Sequence, residues 1–350
     1  MDGLTKGADM RYRMLFISIL LIASACSNPD EVVTADTTAT TVLPTSTIAL
    51  PTTTIPTTTV PETTTSTAVP TPDSYEVRSD YVVETVVSDL DAGTGGLALD
   101  AEGNLYHADF GYPDHVGNTI FKITPDGQIS EFASSDLFTS LTGNTFGPNG
   151  KLYQTSFGSN HVVTIDPDGT VTLLTDEVRG PTGIVVTDEG RVFVDSCRRN
   201  QVYEVFPDGT AEVVAGGVGM NCPNGLTIDD EGNLYVVNFS AGFMQRITPE
   251  GEIEVVYRFP SGNAHVVHVD GFLYVTARTA DRVYRYEIAT GEVVTVVGTG
   301  DQGFDDGPGN EATIARPNAI TVGPDGALYI NHGGGEGRKD PVWISKIIRP

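Results

Sequence analysis

Beyond residue 80 the chain alternates short apolar runs with polar turns, and one arrangement of them recurs. An apolar run is followed by a polar turn ending in glycine, then by a second run opening with an aliphatic and an aromatic residue. Leu97-Ala98-Leu99-Asp100 before Gly103-Asn104-Leu105-Tyr106 is one copy, and Leu226-Thr227-Ile228-Asp229 before Gly232-Asn233-Leu234-Tyr235 is another. Runs this short, bounded by such turns, predict strands. The turn glycines Gly103, Gly150, Gly190, Gly232, Gly271 and Gly326 mark six copies, spaced at about 40 residues with one longer interval. Later in each unit Pro125-Asp126-Gly127, Pro167-Asp168-Gly169, Pro207-Asp208-Gly209, Pro249-Glu250-Gly251 and Thr290-Gly291 mark a second turn. Proline pre-sets φ and glycine accepts φ > 0, so each predicts a tight hairpin between a third and a fourth strand.

Each unit is therefore expected to be a four-stranded antiparallel meander, and six of them in a ring make an all-β, six-bladed β-propeller over residues 75–350. The sixth unit carries Ala327 to Asn331 and Trp343 to Ile347 as second and third strands, after which no fourth strand follows. Tyr81 to Val87 resembles the fourth strands of other units, which predicts that the N-terminal strand completes the last blade and closes the ring.

The first 80 residues follow a different pattern. Arg11 and Arg13 precede an apolar run from Met14 to Ala25 that ends Ala23-Ser24-Ala25-Cys26. The run is shorter than the roughly 20 residues a spanning helix needs, so residues 1–25 are expected to be a cleaved signal peptide. Small residues before a cysteine resemble the lipobox of bacterial lipoproteins, which implies lipidation of Cys26; an ordinary secretory signal with an incidental cysteine is the alternative. Residues 26–74 turn to Thr and Pro, as in Pro51-Thr52-Thr53-Thr54-Ile55-Pro56. Such a segment is expected to form an extended stalk, up to about 145 Å long if polyproline-like. The expected location is extracytoplasmic, with contact to the membrane only through the lipid.

Charge narrows the partners. With 20 Lys+Arg against 46 Asp+Glu the formal net charge is −26, and a surface of that sign repels a phosphate backbone, so nucleic acid is excluded. A monomer is expected. Besides Cys26 there are two cysteines, Cys197 and Cys222, placed in loops on one face of adjacent blades. A disulfide between them suits an oxidising compartment, with two free thiols as the alternative.

The units resemble NHL repeats and the wider set of six-bladed propellers that includes gluconolactonase-like proteins and, more distantly, streptogramin B lyases. Gly298-Thr299-Gly300-Asp301-Gln302-Gly303-Phe304-Asp305-Asp306-Gly307, followed by Ala312, Pro317 and Ile320, is especially similar to the NHL repeat. The resemblance implies a site at the channel mouth. Residues leading into each first strand are Gly95, Thr142, Thr182, Asn224, His265 and Asn318, and those after the second strands are Asp109, Ser156, Ser196, Asn238, Ala277 and His332. From these, Asp109, Asn224, Asn238, His265, Asn318 and His332 are the candidate ligand-binding residues. Amide, carboxylate and imidazole groups suit a hard cation or a polyhydroxy ligand.

The gluconolactonase-like family implies a calcium or other divalent ion at the hub, and Asn224 in Pro223-Asn224-Gly225-Leu226 matches one of its Asn ligands. Gly95, Thr182 and His265 depart from the rest of that set. Streptogramin B lyases imply two His, a Glu and magnesium; His265 resembles the first His, Asn318 stands at the second and His332 near the Glu. The expected function is binding of a small ligand, glycan or protein at the channel mouth, with a divalent-metal-dependent, lactonase-type hydrolase as the alternative.

Overall fold

The computed structural model describes residues 77–111, 114–217, 219–259, 262–333 and 341–350. The segments expected to form a signal peptide and a Thr/Pro stalk, with Cys26 between them, lie outside the described residues. The described chain is all strand and turn, arranged as six antiparallel sheets that each form one blade. Blade I runs Thr94–Leu99, Leu105–Asp109, Thr119–Ile123 and Ile129–Ser134 from the channel outward. Blades II to V repeat this meander from inner strands Leu141–Phe146, Pro181–Val186, Pro223–Ile228 and Asn263–Val269.

Blade VI is built from both ends of the propeller, as the missing fourth strand predicts. Its inner strands are Ile320–Val322, Leu328–Gly333 and Val342–Ile348, and Val82–Leu90 pairs antiparallel with the last of these. Val83 lies opposite Ile347 and Thr85 opposite Ser345, with irregularities at Val87 and Leu90. Gly307–Pro308 pairs with Val82 and Val83 on the outer side, so the edge is covered by a fifth, two-residue strand. That cover limits the row of unpaired backbone groups an outer strand otherwise exposes.

The turn glycines do what their position requires. Gly103, Gly150, Gly190, Gly232, Gly271 and Gly326 all have φ between 74° and 84°, a region closed to most side chains. Apolar positions on the blade faces pack against the next blade, giving six buried clusters between sheets. The aromatic that opens each second strand enters these layers; Tyr106 packs edge-on between Phe132 and Phe146 at 4.8 and 5.0 Å.

Around the channel the inner strands touch backbone to backbone. A Cβ on Gly96 would lie 2.3 Å from Thr142 O, on Gly143 2.5 Å from Thr182 O, on Gly183 2.7 Å from Gly225 Cα, and on Gly225 2.6 Å from His265 Cα. Only glycine permits this approach, which sets the tightness of the ring. Gly183→Ala is expected to lower stability by about 1–3 kcal/mol through overpacking, read as a drop in thermal midpoint. Cys197 and Cys222 are bonded, 25 residues apart, and join blade III to blade IV. In chain-entropy terms that closure contributes about 3.5 kcal/mol, so adding reductant should depress the thermal midpoint of wild type and leave a Cys197→Ser, Cys222→Ser double variant unmoved.

Candidate functional site: the channel mouth

A cavity of about 320 Å³ opens at one end of the channel. Its floor comes from the inner strands: Thr94, Thr142, Thr182, Asn224, His265 and Asn318. Its rim comes from the residue just after each second strand, namely Phe110, Phe157, Cys197, Phe239 and Arg278, with His115 from the longer loop of blade I.

Of the six candidates from the sequence, Asn224, His265 and Asn318 share this cavity. Asn224 Nδ2 donates to Ala264 O at 3.2 Å, and Asn318 Nδ2 donates to Thr94 O and Gly95 O at 3.1 Å each. These bonds turn both amides sideways onto the next blade. Neither Oδ1 accepts a hydrogen bond among the described residues, so both amide oxygens are left as acceptors.

Asp109, Asn238 and His332 do not line the cavity. Asp109 Oδ1 accepts from Gly93 N at 2.6 Å and Gly111 N at 2.7 Å, capping its own loop. Asn238 is buried, accepts from Asn221 N at 2.8 Å and donates to Phe243 O at 2.9 Å and to Gln245. His332 is buried in blade VI against Ser345 Oγ at 2.9 Å and stacks on Phe304. The reason is a shift of one residue. Second strands end at Asp109, Ser156, Ser196, Asn238 and Ala277, so those residues still face their own sheet. The next residue faces the channel, because successive side chains alternate. Phe110, Phe157, Phe239 and Arg278 were legible to that rule and missed without the strand ends.

His265 is displaced in the same way. Val266 pairs with Val275 as Leu226 pairs with Val236, so Ala264 occupies the place of Asn224 and His265 that of Gly225. The other blades carry Gly96, Gly143, Gly183 and Ala319 at this level. An imidazole thus projects where five blades have almost no side chain, and it borders a second cavity of about 280 Å³ further down the channel as well. It makes no hydrogen bond to a described residue, and burial lowers its pKa to about 4, so it is neutral at ordinary pH.

Among the described residues no carboxylate lines the cavity, and the cation lining it is Arg278, whose Nη1 donates to Arg316 O at 3.0 Å and to Thr94 Oγ1 at 3.3 Å. Arg198 lies over the Phe157 ring at 4.5 Å, adding positive charge beside the rim. The donor set does not fit the metal that the resemblance implies: no three His, Cys, Asp or Glu converge among the described residues. The described set of two amides, hydroxyls and a half-buried imidazole lacks the anionic oxygen a hard divalent ion takes.

The chain is thus a six-bladed propeller with a polar-floored, aromatic-rimmed cavity at its channel mouth. The profile of the virginiamycin B lyase family matches residues 79–336, and the chain belongs to that family. The fold is similar to that of virginiamycin B lyase from Staphylococcus aureus, at 18% identity, 77% of this chain, 100% of that chain and TM-score 0.53. A catalytically inactive form of the Staphylococcus aureus enzyme with quinupristin matches at 18%, 77%, 100% and 0.55. A gluconolactonase from Xanthomonas campestris matches at 18%, covering 78% of this chain and 92% of that chain, TM-score 0.57. A comparison with curated proteins finds no match.

His107, His265 and His332 are all held near 4 by burial. Each is neutral in the folded state and protonates near 6.5 when unfolded, so the unfolded chain gains protons first on acidification. Stability is expected to fall as pH drops from 6.5 toward 4, by up to about 3 kcal/mol per histidine, and denaturant unfolding across that interval measures it. His332→Gln should flatten the profile.

Proposed function

We propose that the protein is a ligand-binding propeller whose channel-mouth cavity takes a small neutral or anionic molecule with an aromatic or apolar body. The observation that carries this is a cavity whose described lining holds no carboxylate, with Phe110, Phe157 and Phe239 above Asn224, His265 and Asn318, in a chain of net charge −26. Aromatic faces bury the body of such a ligand, while the amide oxygens and the neutral imidazole exchange hydrogen bonds with it. Arg278 draws in negative charge. Family membership supports a small-molecule site in this position, and the Cys197–Cys222 bond supports an oxidising compartment. In this reading the lipid on Cys26 and the Thr/Pro stalk hold the propeller outside the cell membrane.

The lactonase-type alternative needs a divalent ion on Asn224 with ligands that the cavity does not supply, and the lyase set of His265, Asn318 and His332 is split between the cavity and the core of blade VI. Binding is therefore the favoured reading.

Fluorescence titration with 8-anilinonaphthalene-1-sulfonate, an anionic aromatic probe, tests it. Saturable one-to-one binding is expected, weakened about tenfold or more by Phe239→Ala and made less salt-sensitive by Arg278→Gln. Binding that both variants leave intact would place the probe elsewhere and sink the reading. A stoichiometric divalent ion in purified wild type, lost in Asn224→Ala, would transfer support to the hydrolase.

A further inference from the structure

Beneath the cavity floor, one ring of backbone carbonyls faces the neighbouring blade, and side chains of the preceding blade, or for Thr142 of the second strand of its own blade, supply its donors. Thr155 Oγ1 donates to Thr182 O at 2.5 Å, Thr276 Oγ1 to Asn318 O at 2.5 Å, Asn331 Nδ2 to Gly95 O at 2.9 Å, Asn224 Nδ2 to Ala264 O at 3.2 Å, and Gln154 Nε2 to Thr142 O at 3.2 Å. The sixth carbonyl is that of Asn224, and no such donor is recorded for it among the described residues. Strand register places Asp195 where Thr155, Thr276 and Asn331 stand in their blades.

Asp195 is fully buried, and its Oδ2 has no partner. Its other oxygen accepts from Gly183 N at 2.6 Å and from the Thr182 hydroxyl. Asn331 is the direct comparison: Oδ1 accepts from Ala319 N at 2.8 Å, the counterpart of Gly183, while Nδ2 donates across to Gly95 O. A carboxylate cannot make the second bond, whereas a carboxylic acid can. It has the shape of the Asn331 amide, with O–H in place of N–H.

We propose that Asp195 is a neutral carboxylic acid whose Oδ2–H donates to the backbone carbonyl of Asn224, and that it is the positioning residue for the wall of the cavity formed by blades III and IV. Thr182 and Asn224, the two cavity residues at that junction, are then fixed from below by one proton. Ionisation would set a carboxylate against a carbonyl oxygen and push the inner strands apart. Asp195 meets the Thr182 hydroxyl and Gly183 N, the proposed bond adds the Asn224 carbonyl, and no charged side chain perturbs it. Burial raises its pKa from 3.8 to about 7, which agrees with this state. The disulfide joins Cys197 to Cys222, each two residues from this contact, so the same junction has a covalent tie that does not titrate.

The sign follows from proton binding. Between about pH 4 and 7 the folded state keeps a proton that the unfolded state has lost, so this group's contribution falls as pH rises and is constant above 7. Denaturant unfolding of wild type and Asp195→Asn from pH 4 to 8 reads it directly, because the buried histidines affect both proteins equally. The ratio of wild-type to variant unfolding constants should rise up to about tenfold per pH unit to near pH 7, then level off. At pH 8 Asp195→Asn should equal or exceed wild type, and Asp195→Ala, which supplies no donor, should fall below Asp195→Asn at every pH. In wild type alone, carbon-13 NMR of aspartate-labelled protein should show one carboxyl titrating near neutrality. A ratio independent of pH, or all carboxyls titrating below pH 5, overturns the proposal, whatever the cavity binds.

Discussion

The contact on which the rest of the molecule depends is the meeting of inner strands around the channel. There, glycines let backbones approach to distances that no side chain tolerates, and that closeness brings carbonyls of one blade within reach of side-chain donors from its neighbour. Each junction is then secured by its own chemistry: threonine hydroxyls at II–III and V–VI, an amide at VI–I, the Asn224 side chain at IV–V. Buried polar groups this close to an apolar interior stabilise only when they are satisfied, so the ring is either complete or a liability. The unpartnered carboxyl oxygen of Asp195 at III–IV, where two acceptors would otherwise meet, is for that reason informative.

Closure of the ring by Val82–Leu90 has a consequence for the site. The N-terminal strand fixes blade VI, and blade VI carries Asn318 and the Asn331 amide that reach across to blade I. The cavity floor is thus completed by a junction that forms only when the two ends of the propeller meet. Contacts of such large sequence separation form late and cooperatively, because loop-closure entropy is lost before they contribute. Tyr81 extends the closure beyond the sheet, its hydroxyl 3.2 Å from that of Tyr274 in blade V.

Most of the fold was legible in the sequence because its signals are local. Turn glycines, Pro-Asp-Gly hairpins and the missing fourth strand are each readable over ten residues, and all correspond to observed turns and pairings. The site was legible only in part, since facing in a strand has a period of two and an error of one residue reverses it. Asn224 and Asn318 fell on the correct parity. Asp109 and Asn238 were one position short of Phe110 and Phe239, and the extra residue in the inner strand of blade V moved His265 from the place of Asn224 to that of Gly225. Phe157 carried no polar signal to attract attention, and His115 lies in a connection longer than the corresponding ones of blades II to V. Repeat spacing locates loops well but does not determine which face of a strand end looks inward.

The placement of charge separates this propeller's surface from its site. Acids outnumber bases in the chain, yet the described lining of the cavity holds none and gathers Arg278, neutral imidazole and three phenyl rings. An acidic exterior repels anions at long range and lowers their local concentration, an effect that salt screens beyond roughly 8–10 Å. The described lining of the cavity offers an anion or a neutral aromatic a different environment at short range, where apolar burial on the phenyl rings and the guanidinium of Arg278 act together. Selection at such a site is by contact rather than by steering: association is slowed for an anion and unaffected for a neutral molecule, while dissociation is governed by the phenyl rim. Under the proposed binding function, a neutral, aromatic-bearing ligand is the kind that neither the acidic surface nor the described cavity lining opposes.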